Sequence, residues 1–109
     1  MQTLRDPRWR PTHPGEILRE DVLPALKMTQ TELARLLDVS RLSISELVNE
    51  KRALTPEMAV RLGILFKISP EPWLRMQHAL DLWEVRQKPA AKRKVKPLPR
   101  KRRVDLLAA

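Results

Sequence analysis

The chain has 109 residues, and 22 Lys and Arg against 13 Asp and Glu leave a formal net charge of +9. This length favours one domain and excludes a large multidomain enzyme. Because cysteine is absent, disulfides, thiolate metal sites and thiol nucleophiles are excluded. Two glycines, two histidines and no tyrosine leave few groups for phosphate-binding loops or catalysis. We therefore expect a protein that is not an enzyme and uses neither a metal nor another cofactor.

The positive charge is concentrated at the carboxyl end. Residues 88–109 hold nine of the basic residues and one acidic residue, a net charge of +8, so the rest of the chain carries only +1. This tail has three prolines and no aromatic residue, and we predict that it is disordered in isolation. Residues 1–12 are also interrupted by prolines and are predicted to form an irregular arm. Residues 13–87 remain as the folded domain.

Neither a membrane span nor an export signal is expected. The chain lacks a run of about 18 apolar residues, and its amino-terminal residues lack the apolar core of a signal peptide. We therefore expect a cytoplasmic protein without a membrane partner.

Helix signals recur through the domain, whereas alternation of period two is missing, so the fold is predicted to be all-α. The first helix begins at Pro14 and continues until Pro24 and a connector near Lys27. One face of this helix is apolar and comprises Ile17, Leu18 and Val22.

The next two helices are short and lie close together in the chain. Thr29 and Glu32 have the spacing of a capping box, which predicts a second helix over residues 30–37. A tight turn at Asp38 and Val39 follows, and Ser40 is the predicted N-cap of a third helix over residues 41–48. The buried face of the second helix is predicted to comprise Leu33, Ala34 and Leu37.

Two further helices begin with the same device, a hydroxyl N-cap followed by proline, at Thr55-Pro56 and Ser69-Pro70. Both are amphipathic. The fourth helix carries Met58, Ala59, Leu62, Leu65 and Phe66 at helical spacing, and the fifth carries Trp73, Met76, Leu80 and Trp83.

Residues 30–49 have the organisation of a helix-turn-helix, in which the second helix enters the DNA major groove. Ile44 and Leu47 would anchor that helix to the core. The residues left facing outward are Arg41, Leu42, Ser45, Glu46 and Asn49.

The order Q-x-x-L-A-x-x-L-x-V-S-x-x-x-I-S-x-x-x-N over residues 30–49 resembles the Cro/lambda-repressor-like helix-turn-helix family. The flanking segments HPGEIL at residues 13–18, TPEMA at 55–59 and SPEPWL at 69–74 are similar to those of HigA-type (VapI-like) antitoxins. This resemblance implies a five-helix lambda-repressor-like domain that dimerises, represses its own operon and neutralises a RelE-like mRNA endonuclease toxin. The implied partners are therefore double-stranded DNA, a toxin and a second copy of the chain.

The resemblance also assigns DNA contacts. The base-reading positions are Arg41, Leu42, Ser45 and Glu46. The positions that hold the DNA backbone are Gln30, Ser40, Asn49, Lys51 and Arg52. An arginine at the start of the helix can bind guanine O6 and N7, and a leucine can contact a thymine methyl group.

Two residues depart from the family pattern. Asp38 stands where glycine is usual in the turn, and aspartate tolerates the left-handed backbone that this position needs. Glu50 stands in a loop expected to approach phosphate, where its charge would be repelled.

The apolar stripe of the fifth helix has two interpretations: it belongs to the core of one subunit, or it forms a seam between two. We predict the second, a two-fold dimer with an interface at Trp73, Met76, Leu80 and Trp83. Such a dimer would place its recognition helices ~34 Å apart and bind an inverted-repeat operator.

Two other functions remain open on the sequence alone. One is a stand-alone transcriptional repressor without a toxin. The other is an RNA- or partner-binding adaptor that acts through the basic tail. In a DNA-binding protein, the same tail would raise the sequence-independent affinity for DNA. His13 is predicted to be a structural residue at a helix start, and His78 a surface residue.

Overall fold

The structure is a computed structural model that describes residues 9–88 and 94–103. All regular structure in these ranges is helical, which confirms the predicted all-α class. Helix α1 spans residues 14–26 and is followed by α2 (Gln30–Leu37), α3 (Arg41–Val48), α4 (Pro56–Phe66) and α5 (Glu71–Arg86). A further helical turn lies at residues 100–103 of the tail. The predictions for residues 1–8, 89–93 and 104–109 lie outside the described residues.

Helix α1 contains a wide turn and runs through Pro24. Its three consecutive parts are the α-helical Pro14–Ile17, the π-helical Leu18–Val22 and the α-helical Leu23–Leu26. The amide of Leu23 donates to the oxygen of Leu18, five residues back. Proline has no amide hydrogen and crowds the carbonyl four residues back, so the wide turn accommodates Pro24 where a regular helix would break. The helix ends where Lys27 takes a left-handed conformation, with φ 52°.

Helices α2 and α3 have the predicted boundaries and caps. The Thr29 hydroxyl accepts from the Glu32 amide at 3.0 Å, and the Ser40 hydroxyl accepts from the Ser43 amide at 3.0 Å. Between the helices, the Asp38 backbone is left-handed, with φ 56°. This confirms the prediction that aspartate adopts the left-handed conformation at a turn position where glycine is usual. Val39 is half-buried and packs against the core.

Helices α4 and α5 differ in how they begin. Thr55 caps α4 as predicted, because its hydroxyl accepts from the Met58 amide at 3.2 Å. Ser69 does not cap α5: Pro70 is the N-cap residue, and the Ser69 hydroxyl donates to the Glu71 carboxylate. The amide that Ser69 would cap belongs to Pro72, which has no hydrogen to donate.

The core lies between the five helices and includes part of the stripe assigned to a dimer seam. Trp73 is only 7% exposed and Leu80 only 1% exposed within one subunit. Both side chains are thus covered mainly by the subunit's own helices, and their place in a dimer seam stays a prediction. Met76 and Trp83 are half-buried, and their place in an interface stays a prediction.

Two features are absent from the described residues. None of the helices found there has the length and apolar character needed to cross a membrane. Across residues 9–88 and 94–103, no three His, Asp or Glu side chains come together as a group that could hold a metal ion.

Candidate nucleic-acid interface

Helix α3 has one buried face and one exposed face. Ile44, Leu47 and Val48 are at most 1% exposed and anchor the helix to the core. On the opposite side, Leu42 is 63% exposed and Arg41 is also exposed. Among the described residues, Arg41 has neither a hydrogen bond nor an ion pair, so its guanidinium is available to a ligand. The other predicted base-reading residues, Ser45 and Glu46, are half-buried on the same exposed side.

The residues predicted to hold the DNA backbone surround this face. Gln30 and Ser40 lie at the starts of α2 and α3. Asn49 follows α3, and its side-chain nitrogen donates to the Ser45 hydroxyl at 3.4 Å. Lys51 and Arg52 are exposed in the next loop. The fold thus brings the nine predicted DNA-contacting residues to one region, although their individual contacts with DNA stay predictions.

Glu46 and Arg52 are paired across the loop that follows α3. Both Nε and Nη2 of Arg52 donate to the same carboxylate oxygen, Oε1 of Glu46, at 3.0 and 2.6 Å. The side chains are 34% and 47% exposed, respectively. This pair joins a predicted base reader to a predicted phosphate contact, a link that the sequence analysis did not anticipate.

An arginine outside the helix-turn-helix holds the end of α2. The Arg61 guanidinium donates to the carbonyl oxygen of Leu37 at 2.7 Å and also binds the Glu57 carboxylate at 2.9 Å. A cation is favourable at a helix carboxyl end because it neutralises the partial negative charge of the unpaired carbonyl groups. Helix α4 therefore fixes the turn before the recognition helix.

A second arginine holds the end of α3 in the same way. The Arg19 guanidinium donates to the carbonyl oxygen of Val48 at 2.6 Å and to the Glu50 carboxylate at 3.3 Å. Arg10 binds the other Glu50 oxygen at 3.2 Å. Partial burial alone would raise the pKa of Glu50, but hydrogen bonds from Arg10 and Arg19 outweigh it and hold the pKa below its ordinary value. The Glu50 charge is thus compensated within the chain.

The start of α1 completes this support. His13 is buried and caps α1, because its Nδ1 accepts from the Gly15 amide at 2.9 Å. This contact confirms its predicted structural role. Burial lowers the pKa of His13, which favours the neutral, accepting form. Gly15 lies so close to α3 that an added Cβ would overlap the carbonyl oxygen of Leu47.

The outer face of α4 is apolar as well as the inner one. Val60 is 49% exposed and Ile64 is 74% exposed, with Ile68 at 47% just beyond the helix. Leu36 of α2 borders the same groove as Ile64. This surface was not predicted from the sequence, where only the inner stripe of α4 was assigned, although apolar residues outside that stripe were its visible signal.

Comparison with known proteins identifies the family. Residues 18–73 match the helix-turn-helix family model. The chain is 36% identical over 96 residues to antitoxin HigA-1 of Vibrio cholerae, a match that covers 87% of this chain and 90% of that protein. The chain is a HigA-type member of the helix-turn-helix family.

Two further relatives bear on this HigA-type chain. It is 49% identical over 76 residues to the HTH-type transcriptional regulator YbaQ of Escherichia coli, covering 70% of this chain and 67% of that one. The structure of Pseudomonas aeruginosa antitoxin HigA with the higBA promoter superposes on this chain with a TM-score of 0.74 and 34% sequence identity. The match covers 83% of this chain and all of the Pseudomonas chain. The relatives named here are thus antitoxins and a transcriptional regulator.

In this HigA-type chain, some of the residues that support α3 lie inside the region matched by the family model and others lie before it. The matched region of residues 18–73 contains the two arginines, Arg19 and Arg61, that hold the helix ends. It does not contain Arg10, His13 or Gly15, which reach the end of α3 from before the matched region.

Proposed function

We propose that this chain is a homodimeric antitoxin that binds an inverted-repeat operator, represses its own promoter and neutralises a RelE-like mRNA endonuclease. The observation that carries the DNA-binding part is the exposed face of α3, which begins with Arg41 and Leu42 and is followed in the chain by the exposed loop cations Lys51 and Arg52. The relatives support the DNA-binding part, because a Pseudomonas aeruginosa HigA has been solved with promoter DNA.

Binding to the chain's own upstream DNA tests this proposal. The purified protein is titrated against a fragment from its promoter region and against a scrambled duplex of equal length, at salt above about 0.2 M to suppress binding that depends only on phosphate charge. We expect binding to the promoter fragment to be at least ~10³-fold tighter, the usual margin for specific recognition. Equal affinity for both duplexes would contradict the proposal.

The toxin partner separates the antitoxin from a stand-alone repressor. Under the proposal, co-expression of this chain with a small toxin encoded beside it restores growth to the host. A chain that binds its operator but rescues no neighbouring toxin is instead the stand-alone repressor.

The basic tail defines the remaining alternative, an adaptor for RNA or another partner. The described part of the tail, residues 94–103, is exposed throughout, whereas the core lies within the five helices of the domain. We expect a chain that ends after Gln87 to keep its preference for the operator with a weaker dependence on salt, since fewer counterions are released. Loss of all nucleic-acid binding in the shortened chain would favour the adaptor.

Besides the predicted α5 residues Met76 and Trp83, the dimer interface is proposed to include the outer face of α4, around Val60, Ile64 and Ile68. Exposed apolar side chains that cluster in this way mark contact surfaces. In a two-fold interface each surface meets its own copy, so its rim needs charges of both signs. Glu57 and Lys67 supply them here.

Sedimentation of Ile64→Asp tests this interface. We expect this variant to be monomeric at concentrations where the parent chain is dimeric. Leu26→Asp is the matched control, because Leu26 is also exposed, at 49%, but lies at the end of α1. A dimeric Ile64→Asp that fails to neutralise the toxin would assign this face to the toxin instead.

A further inference from the structure

We propose that Glu46 reads a C·G base pair through its second carboxylate oxygen, and that Arg52 is a positioning residue that orients Glu46 for this contact. The inference rests on the proposed DNA-binding function. It goes further by assigning a base and by giving Arg52 a role in sequence preference as well as in phosphate binding.

The geometry of the pair leaves one oxygen available. Both Arg52 nitrogens converge on Oε1 of Glu46, and Oε2 has no hydrogen bond with any other described residue. A guanidinium that donates twice to one oxygen restrains the rotation of the carboxylate. Oε2 thus remains available for a further donor on a side chain that is 34% exposed.

The pair also resolves an electrostatic difficulty. A lone carboxylate that enters the major groove is repelled by the phosphates on both sides. Glu46 and Arg52 together carry no net charge, and Lys51 adds a cation in the same loop. The amide of Lys51 donates to the carbonyl oxygen of Glu46 at 2.8 Å, which ties this loop to the recognition helix.

The chemistry of a carboxylate selects the base. An ionised carboxylate only accepts hydrogen bonds. In the major groove, guanine and thymine offer only acceptors, and adenine offers an amino donor next to the N7 acceptor, which repels a carboxylate. The amino group of cytosine is the donor that Asp and Glu recognise. Glu46 lies four residues after Leu42 and so follows it on the same face of the helix. The predicted cytosine thus lies one helical turn along α3 from the base that Leu42 contacts.

Selection from a randomised operator library tests the assignment. The full chain is compared with the variants Glu46→Gln, Arg52→Ala and Arg52→Lys, and with Lys51→Ala as the matched control from the same loop. We expect the parent chain to select cytosine at one position in each half-site, with roughly 5- to 150-fold discrimination against other bases. Glu46→Gln changes this preference towards adenine, which an amide recognises through two hydrogen bonds.

The Arg52 variants separate positioning from phosphate binding. Arg52→Ala is expected to reduce the cytosine preference at that single position by about five-fold or more, and Arg52→Lys, which keeps a donor and the charge, restores part of it. Lys51→Ala lowers the affinity for all sequences alike. Thermal unfolding of each variant checks that the fold is retained.

Two results would overturn this inference while the proposed function stands. One is an unchanged base preference in Glu46→Gln, and the other is a uniform loss in Arg52→Ala that matches Lys51→Ala. If the parent chain itself selects no sequence, the proposed function fails, and this inference fails with it.

Discussion

The two ends of the recognition helix α3 are built in opposite ways. Its carboxyl end is held by Arg19, by the closely packed Gly15 and by a network that includes Glu50 and Arg10. Its amino end is supported by the Ser40 cap and, through the preceding turn, by Arg61, and the Arg41 side chain forms neither a hydrogen bond nor an ion pair with any described residue. The domain thus holds the carboxyl end of the helix with side chains of distant segments, and leaves the Arg41 side chain at the amino end exposed.

This difference explains how a helix of eight residues can be held in place for its proposed role in binding DNA bases. A helix this short is marginal in isolation, because its stability comes from packing. The contacts at the carboxyl end anchor the helix next to the loop that carries Lys51 and Arg52. Side chains at the amino end then need no intramolecular partners and remain available to bases.

Gly15→Ala is the strongest way to break the supported end. The added methyl group would overlap the Leu47 carbonyl, and backbone atoms cannot move aside as a flexible side chain can. We expect the free energy of unfolding to fall by about 3 kcal/mol, the upper part of the range for overpacking. Chemical denaturation monitored by circular dichroism measures this loss.

Gly63→Ala is the comparison for that experiment. Its added Cβ would lie 2.7 Å from the carbonyl oxygen of Ile68, a milder clash at the junction of α4 and α5. We expect a smaller loss of stability than in Gly15→Ala. A larger loss in Gly63→Ala would mean that the contact between α1 and α3 is more adaptable than the structure indicates.

Arg41→Ala tests the open end. Because Arg41 has no partner among the described residues, the free energy of unfolding should change by less than about 0.5 kcal/mol. Affinity for the operator should fall by ~1–3 kcal/mol, with relaxed preference at one base position. Unfolding and DNA titration on the same sample measure both. A loss that is equal on operator and random DNA would contradict a base-reading role.

The pH dependence of stability probes His13 at the supported end. Burial lowers the pKa of His13 in the folded chain, so the unfolded chain takes up a proton first as the pH falls. The contribution of His13 to the free energy of unfolding is therefore complete above the ordinary pKa of about 6.5 and declines below it. We expect the Tm to fall more between about pH 7.5 and about pH 5 in the parent chain than in His13→Asn, which caps without titrating.

His13→Ala is the control, because it removes the cap at every pH. It should cost on the order of 1 kcal/mol, or about 4–8 °C in Tm for a domain of this size. Equal pH dependence in the parent chain and His13→Asn would show that the imidazole does not titrate with folding.

The features that the sequence predicts well are local ones. The caps at Thr29, Ser40 and Thr55 each involve an amide three residues away, so the chain carries both partners in one short segment. The left-handed turn at Asp38 is local as well. These signals locate the helix-turn-helix in the sequence, and the structure confirms the predicted boundaries of its two helices.

The features that the sequence did not predict depend on packing between distant segments. Periodicity shows that Trp73 and Leu80 share a stripe, but it does not show whether that stripe meets its own core or another subunit. Arg19 and Arg61 bind carbonyl groups 29 and 24 residues away. A basic residue on a helix gives no sign of which carbonyl it will reach, so the supports of α3 become visible only in the fold.

The wide turn in α1 determines how the first residues of that helix are rotated about its axis. In a regular helix, Leu18 and Leu23 would point roughly 140° apart, yet both are buried. Deleting one residue from this turn would rotate everything before it by roughly 100° about the helix axis. His13 and Gly15 would then swing away from α3, so the length of α1 controls whether these two residues meet the helix proposed to read DNA.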